Sequence, residues 1–114
     1  MKRINFEILL RKLRRKEYVY IAEIQKLDDS YTVVSYTGAV DSAELPVTFN
    51  GVFQYENEAE ERMLELLNEK FNEGYRPVPN GSEIHVPGFK NAEYNRALHI
   101  PKVVEHKEHR RLNI

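Results

Sequence analysis

Apolar residues recur at helical spacing in one stretch of this 114-residue chain, at Ala59, Met63, Leu66, Leu67 and Phe71. With Asn57 as N-cap, Glu60 as its reciprocal capping partner and Gly74 as a left-handed stop, the pattern predicts an α-helix over residues 57–73. Tyr75 is placed to fold back on the last turn. Upstream, residues 18–24 and 31–36 concentrate aromatic and β-branched side chains on either side of Asp28-Asp29-Ser30, which reads as a hairpin with a polar loop. A third run, 45–53, contains Val47, Phe49, Val52 and Phe53; Pro46 confines it to a strand start or edge, and Gly51 marks a bulge or break. These three strands form an antiparallel meander covered by the helix.

The ends follow other patterns. Phe6, Leu9, Leu10 and Leu13 fall at i, i+3, i+4 and i+7, so residues 5–15 are expected to form a short amphipathic helix with Arg11, Arg14 and Arg15 off its stripe. A strand over residues 4–10 is the competing reading, because β-branched and aromatic residues occur there too. After Tyr75, Pro77, Pro79, Pro87 and Pro101 with Gly81 and Gly88 break the chain too often for long elements. One short strand at 83–86 fits, followed by an extended arm that closes in a helical turn near 103–111. The expected class is α+β: an antiparallel sheet of three to four strands packed by one main helix, with a short N-terminal helix and an extended C-terminal arm. The corresponding organisation is a basic segment 1–16, a core domain 17–87 and the arm 88–114. No internal repeat or low-complexity tract is present.

Charge changes the picture more than composition does. Residues 1–16 carry Lys2, Arg3, Arg11, Lys12, Arg14, Arg15 and Lys16 against Glu7, a net of +6. Residues 17–75 sum to −10 and the remainder to +3, so the overall −1 hides a strongly sorted molecule. Sorted charge acts on partner choice and association more than on fold. The absence of cysteine removes disulfides, thiolate metal sites and cysteine nucleophiles, and fits a reducing compartment. No apolar run approaches the roughly 18 residues of a membrane span, and the N-terminus lacks the apolar run of a secretory signal. A cytoplasmic protein with no membrane partner is expected.

Catalytic patterns are missing. Ser30, Ser35, Ser42 and Ser82 sit in turn or strand contexts, and there is no nucleophile elbow, phosphate-cradling glycine loop or dinucleotide fingerprint. His106 and His109, with Glu105 and Glu108, could share a helical face. A metal site normally needs three or four ligands on a rigid frame, so neither metal nor cofactor is expected. The chain reads as a binding protein, not an enzyme.

Two charged features are the candidate binding surfaces. Glu61, Glu65, Glu69 and Glu73 fall at successive i+4 steps, a stripe that is ordinarily a hydrated face but can also meet a basic protein surface. Arg11, Lys12, Arg14, Arg15 and Lys16 put five cations within six residues, with Tyr18 and Tyr20 following and Arg110 and Arg111 able to extend the patch. Either the acidic block neutralises that cluster within the chain, or phosphates do so from outside.

A family resemblance covers about residues 17–76. The run Tyr18-Val19-Tyr20-Ile21-Ala22-Glu23-Ile24, then Tyr31 to Tyr36, Thr37-Gly38-Ala39-Val40, Phe53, and a helix ending Lys70-Phe71-Asn72-Glu73-Gly74-Tyr75 resembles a degenerate WGR domain. That family is an antiparallel sheet with a packed helix, found in poly(ADP-ribose) polymerases and bacterial regulators and implicated in nucleic-acid contact and interdomain signalling. Thr37 and Ala39 stand where the naming tryptophan and arginine would be, so the family's phosphate-facing fork is absent. The resulting expectation is a nucleic-acid-associated accessory factor using the basic N-terminal patch. The alternative is a protein-interaction or assembly module using the acidic stripe and the arm. A short chain of this kind would also suit a phage or mobile-element product.

Overall fold

The computed structural model describes residues 2–78 and 84–89. Four strands run as a meander, β1 (Lys2–Leu13), β2 (Lys16–Leu27), β3 (Ser30–Ala39) and β4 (Val47–Phe53), followed by α1 (Glu56–Asn72) and a two-residue strand β5 (Arg76–Pro77). They form one antiparallel sheet in the order β4-β3-β2-β1-β5, packed on one face by the helix. The α+β class and the antiparallel sheet under one main helix are as expected; the sheet has five strands.

The N-terminal segment departs from the expected helix. Residues 5–15 do not form a helix: most of them lie in β1, paired with β2 from Lys2↔Lys26 to Leu13↔Lys16. The reason is burial on both faces, which makes a strand read as a nearly continuous apolar run instead of an alternation. Ile8, with Phe6 and Leu10 packed beside it, joins one core, while Leu9 joins the other, and Glu7 is also buried. The i, i+3, i+4, i+7 spacing therefore arose from two stripes on opposite sides of a ribbon. The basic segment is thus largely a strand of the same sheet as the residues that follow it.

The two cores lie on opposite faces of the sheet. Helix residues Ala59, Met63, Leu66 and Leu67 pack with Tyr75 on Leu9, Tyr20, Ala22, Ile24 and Val33. The other face is covered by residues around Leu45 and by Val78, Ile84, Val86 and Phe89, seated on Ile8, Val19 and Ile21. No strand forms over residues 84–86; they enter this core as irregular chain, while Glu83 lies outside the described residues. Gly88 permits that approach, since a Cβ there would stand 2.8 Å from the Ser42 carbonyl oxygen. The arm, with its expected turn near 103–111 and His106 and His109, lies outside the described residues apart from its first two positions.

Helix α1 starts one residue earlier than expected. Tyr55, in extended conformation, is the N-cap, and its N–H donates to Glu58 Oε1 at 3.2 Å, so Glu58 takes the role expected of Glu60. The C-terminal stop is as expected: Gly74 has φ of 103°, the Tyr75 N–H donates to the Lys70 carbonyl at 3.0 Å, and the Gly74 N–H to Phe71 at 3.1 Å. This double closure satisfies carbonyls of the last turn and turns Tyr75 back onto Tyr20. Pro46 directly precedes the edge strand β4, a position where its missing N–H costs no ladder bond, and a register shift between Thr32 and Val34 places the bulge beside Gly51.

Candidate functional site

Two-residue loops close the first two hairpins of the sheet, Arg14-Arg15 between β1 and β2 and Asp28-Asp29 between β2 and β3. Each begins on a residue at positive φ, 59° for Arg14 and 55° for Asp28, as the twist of paired strands favours in tight hairpins. The β1–β2 hairpin thereby gathers Arg11, Lys12, Arg14, Arg15 and Lys16 at one end of the molecule, all exposed except the half-buried Arg11.

Register assigns these side chains to faces. Leu13 stands opposite Lys16 and Arg11 opposite Tyr18, on the side of the ribbon that also carries Leu9, Tyr20 and α1. Lys12 stands opposite Glu17 on the other side, so that face carries its own counter-charge. Leu13, Arg14, Arg15, Lys16 and Tyr18 line an open cleft of about 620 Å³ at the hairpin end. Leu13 is 46 % exposed there.

The cationic surface continues toward the end of the helix. Arg11 lies over Gly74, where an added Cβ would come within 3.4 Å of Nε. Lys70 holds its ammonium 5.0 Å from the Tyr20 ring centre and 5.7 Å from that of Tyr75, while the Arg76 guanidinium sits 5.9 Å from that of Phe71. Lys70 and Arg76 were not among the expected site residues; Arg76 reaches β1 through the β5–β1 pairing, which no local pattern announces, and Lys70 reaches Tyr20 through the packing of α1 on the sheet. Arg110 and Arg111 lie outside the described residues.

The acidic stripe is present and exposed, but it does not cover the basic hairpin. Glu65 is bonded by Arg62 at 3.1 Å and Glu73 by Lys70 at 3.3 Å, both on the helix itself. Glu61 and Glu69 have no ion-pair partner among the described residues. Nor does any of Arg11, Lys12, Arg14, Arg15 or Lys16 meet a carboxylate among the described residues. The hairpin cations and the acidic stripe therefore form no ion pair with each other among the described residues, although Glu73 precedes the Gly74 on which Arg11 lies.

One polar cluster went unpredicted. Glu23 is fully buried in β2, and its carboxylate accepts from Arg3 Nε at 2.8 Å, from the Tyr36 hydroxyl at 3.0 Å and from the Gln25 amide. Burial, then the neighbouring Glu23 charge, pushes the Tyr36 hydroxyl up to about 12, so it remains a donor throughout the neutral range. On the helix side, Tyr20 is also raised by burial, with the Ser35 hydroxyl opposing. Three donors on one carboxylate make Glu23 an anchor between β1, β2 and β3. An acid between Ala22 and Ile24 in an apolar run was the available signal.

Among the described residues no group of three or more histidine, aspartate or glutamate side chains is placed to hold a metal ion, and no helix is long and apolar enough to cross a membrane. The exposed Val47, Phe49 and Val52 share one face of β4, opposite Tyr36, Val34 and Thr32 in register. No protein-family model matches the chain, and no curated protein or solved structure matches it.

Proposed function

We propose that the protein is a non-catalytic nucleic-acid-binding factor that engages phosphates through the end of its β1–β2 hairpin. The observation that carries this reading is the set Arg11, Lys12, Arg14, Arg15 and Lys16 on one two-stranded ribbon, none of them in a salt bridge among the described residues. Like charges so close repel, and that cost falls when they lie against the phosphates of a nucleic acid, taking the place of its condensed counterions. A two-stranded ribbon is also a shape that nucleic-acid proteins use, and it holds the charges in fixed relative positions. The WGR-like pattern over residues 17–76 agrees in direction. The protein-interaction reading of the acidic stripe has weaker support, because two of its four carboxylates are already paired within the helix.

The test is fluorescence anisotropy with labelled DNA and RNA across a salt series. Affinity should fall linearly on logarithmic axes, with a slope near −0.7 to −0.9 per phosphate contacted. Replacing Arg14, Arg15 and Lys16 together by Gln should lower affinity at least about tenfold and reduce the slope by roughly 2 to 3. An affinity indifferent to salt, or unchanged in that variant, rejects the proposal.

A further inference from the structure

The two faces of the hairpin end are chemically different, and the difference bears on the form of nucleic acid that fits. Arg11, Leu13, Lys16 and Tyr18 share the helix side with no acid among them, whereas Glu17 stands beside Lys12 on the other. A ribbon inserted into a duplex groove has phosphate walls along both sides, and the carboxylate of Glu17 would face one of them. The open cleft favours a different ligand: its lining combines an apolar and an aromatic side chain, Leu13 and the half-buried Tyr18, with the cations Arg14, Arg15 and Lys16. Solvated phosphate-binding arginines have no need of an exposed leucine and a tyrosine ring between them. An unstacked base does, because its flat face gains from an aromatic partner while its own phosphate lies on a neighbouring cation.

Resting on the reading of the hairpin as a phosphate-binding element, we infer that its ligand is single-stranded nucleic acid, with one base seated in the cleft against Tyr18 and Leu13 and the flanking phosphates on Arg11, Arg14, Arg15 and Lys16. Tyr18 is suited to this role because Arg11 is its direct cross-strand partner and Lys16 its same-face neighbour two residues away, about 7 Å along the strand. Its ring is fixed by packing on the helix-side core, so a base meets a preformed surface.

Three probes on the full chain separate the sources of affinity: an oligothymidine of about 16 nucleotides, a duplex of the same length, and a strand of the same length built from abasic units, which keeps the phosphates and removes every base. The oligothymidine should bind at least about tenfold more tightly than the abasic strand, and more tightly than the duplex. Tyr18→Leu keeps apolar bulk for the core, and a melting curve verifies its fold; it should weaken oligothymidine binding about 5- to 100-fold and leave the abasic strand unchanged, while Tyr18→Phe retains wild-type affinity. Equal binding of abasic and thymidine strands, a duplex preference, or a Tyr18→Leu variant that binds as wild type overturns this inference and leaves phosphate binding standing. Failure of all three probes to bind overturns both.

Discussion

A single carboxylate illustrates how residue-level chemistry shapes this sheet. Glu23, buried on the sheet face opposite the helix, draws Arg3, Gln25 and Tyr36 onto its carboxylate from three strands. The arrangement has an alkaline consequence. Because the folded state holds the Tyr36 proton up to about 12 and the unfolded chain releases it near 10.0, the folded form binds more protons in that window. Stability conferred by this group is therefore complete below pH 10 and is lost as pH rises toward 12. In urea unfolding at pH 9 and pH 11.5, wild-type stability should drop by more than that of Tyr36→Phe, while at pH 9 the variant is the less stable by about 1–2 kcal/mol. Equal drops in the two proteins would show that Tyr36 is not the titrating group. That such a cluster would form was only half legible: the acid in an apolar run is visible, but its donors come from positions 3, 25 and 36, which only the register brings together.

Among the elements, legibility followed how local the determining forces are. Helix α1 could be read because its apolar spacing and its glycine stop act within one segment, and Gly74 and Tyr75 close it as their residue types demand. Its first residue was less legible, since Tyr55 is not a residue type favoured for capping and only the Glu58 contact reveals its role. Strands β2 and β3 were readable from aromatic and β-branched content, and β4 from its proline and glycine punctuation. Strand β1 was misread because both of its faces are buried, so the alternation that identifies a strand is filled in. The same error hid the site. Without β1 there is no hairpin, and Arg14-Arg15 lacks the Asn-Gly or Asp-Gly signature that announces a two-residue turn. The cations were found, but the frame that holds them, and the Leu13–Tyr18 face between them, needed the pairing.

At the scale of the whole molecule, the sorted charges along the chain become sorted surfaces. The basic hairpin abuts the C-terminal end of α1, through Arg11 over Gly74, while the first turn of the helix lies at the opposite end, roughly 20 Å away along its axis. Glu73 should therefore influence phosphate binding and Glu61 should not, because surface charges further apart than about 8 Å are screened at physiological salt. Glu73→Gln should strengthen oligonucleotide binding about two- to fivefold, both by removing a nearby anion and by releasing Lys70 from its 3.3 Å pair. Glu61→Gln should leave affinity within experimental error in the same anisotropy titration. Equal effects from the two positions would mean that net charge alone, and not this surface, governs the interaction.

The backbone of Arg14, at φ of 59°, occupies a region where asparagine or glycine rests comfortably and a long side chain does not. Folding alone would thus prefer a different residue at the very tip of the ribbon. Arg14→Asn is expected to raise the melting temperature, through relief of roughly 1 kcal/mol, while loosening the grip on an oligonucleotide several-fold. Opposite signs in those two readouts would mark this position as one where architecture has been surrendered to recognition.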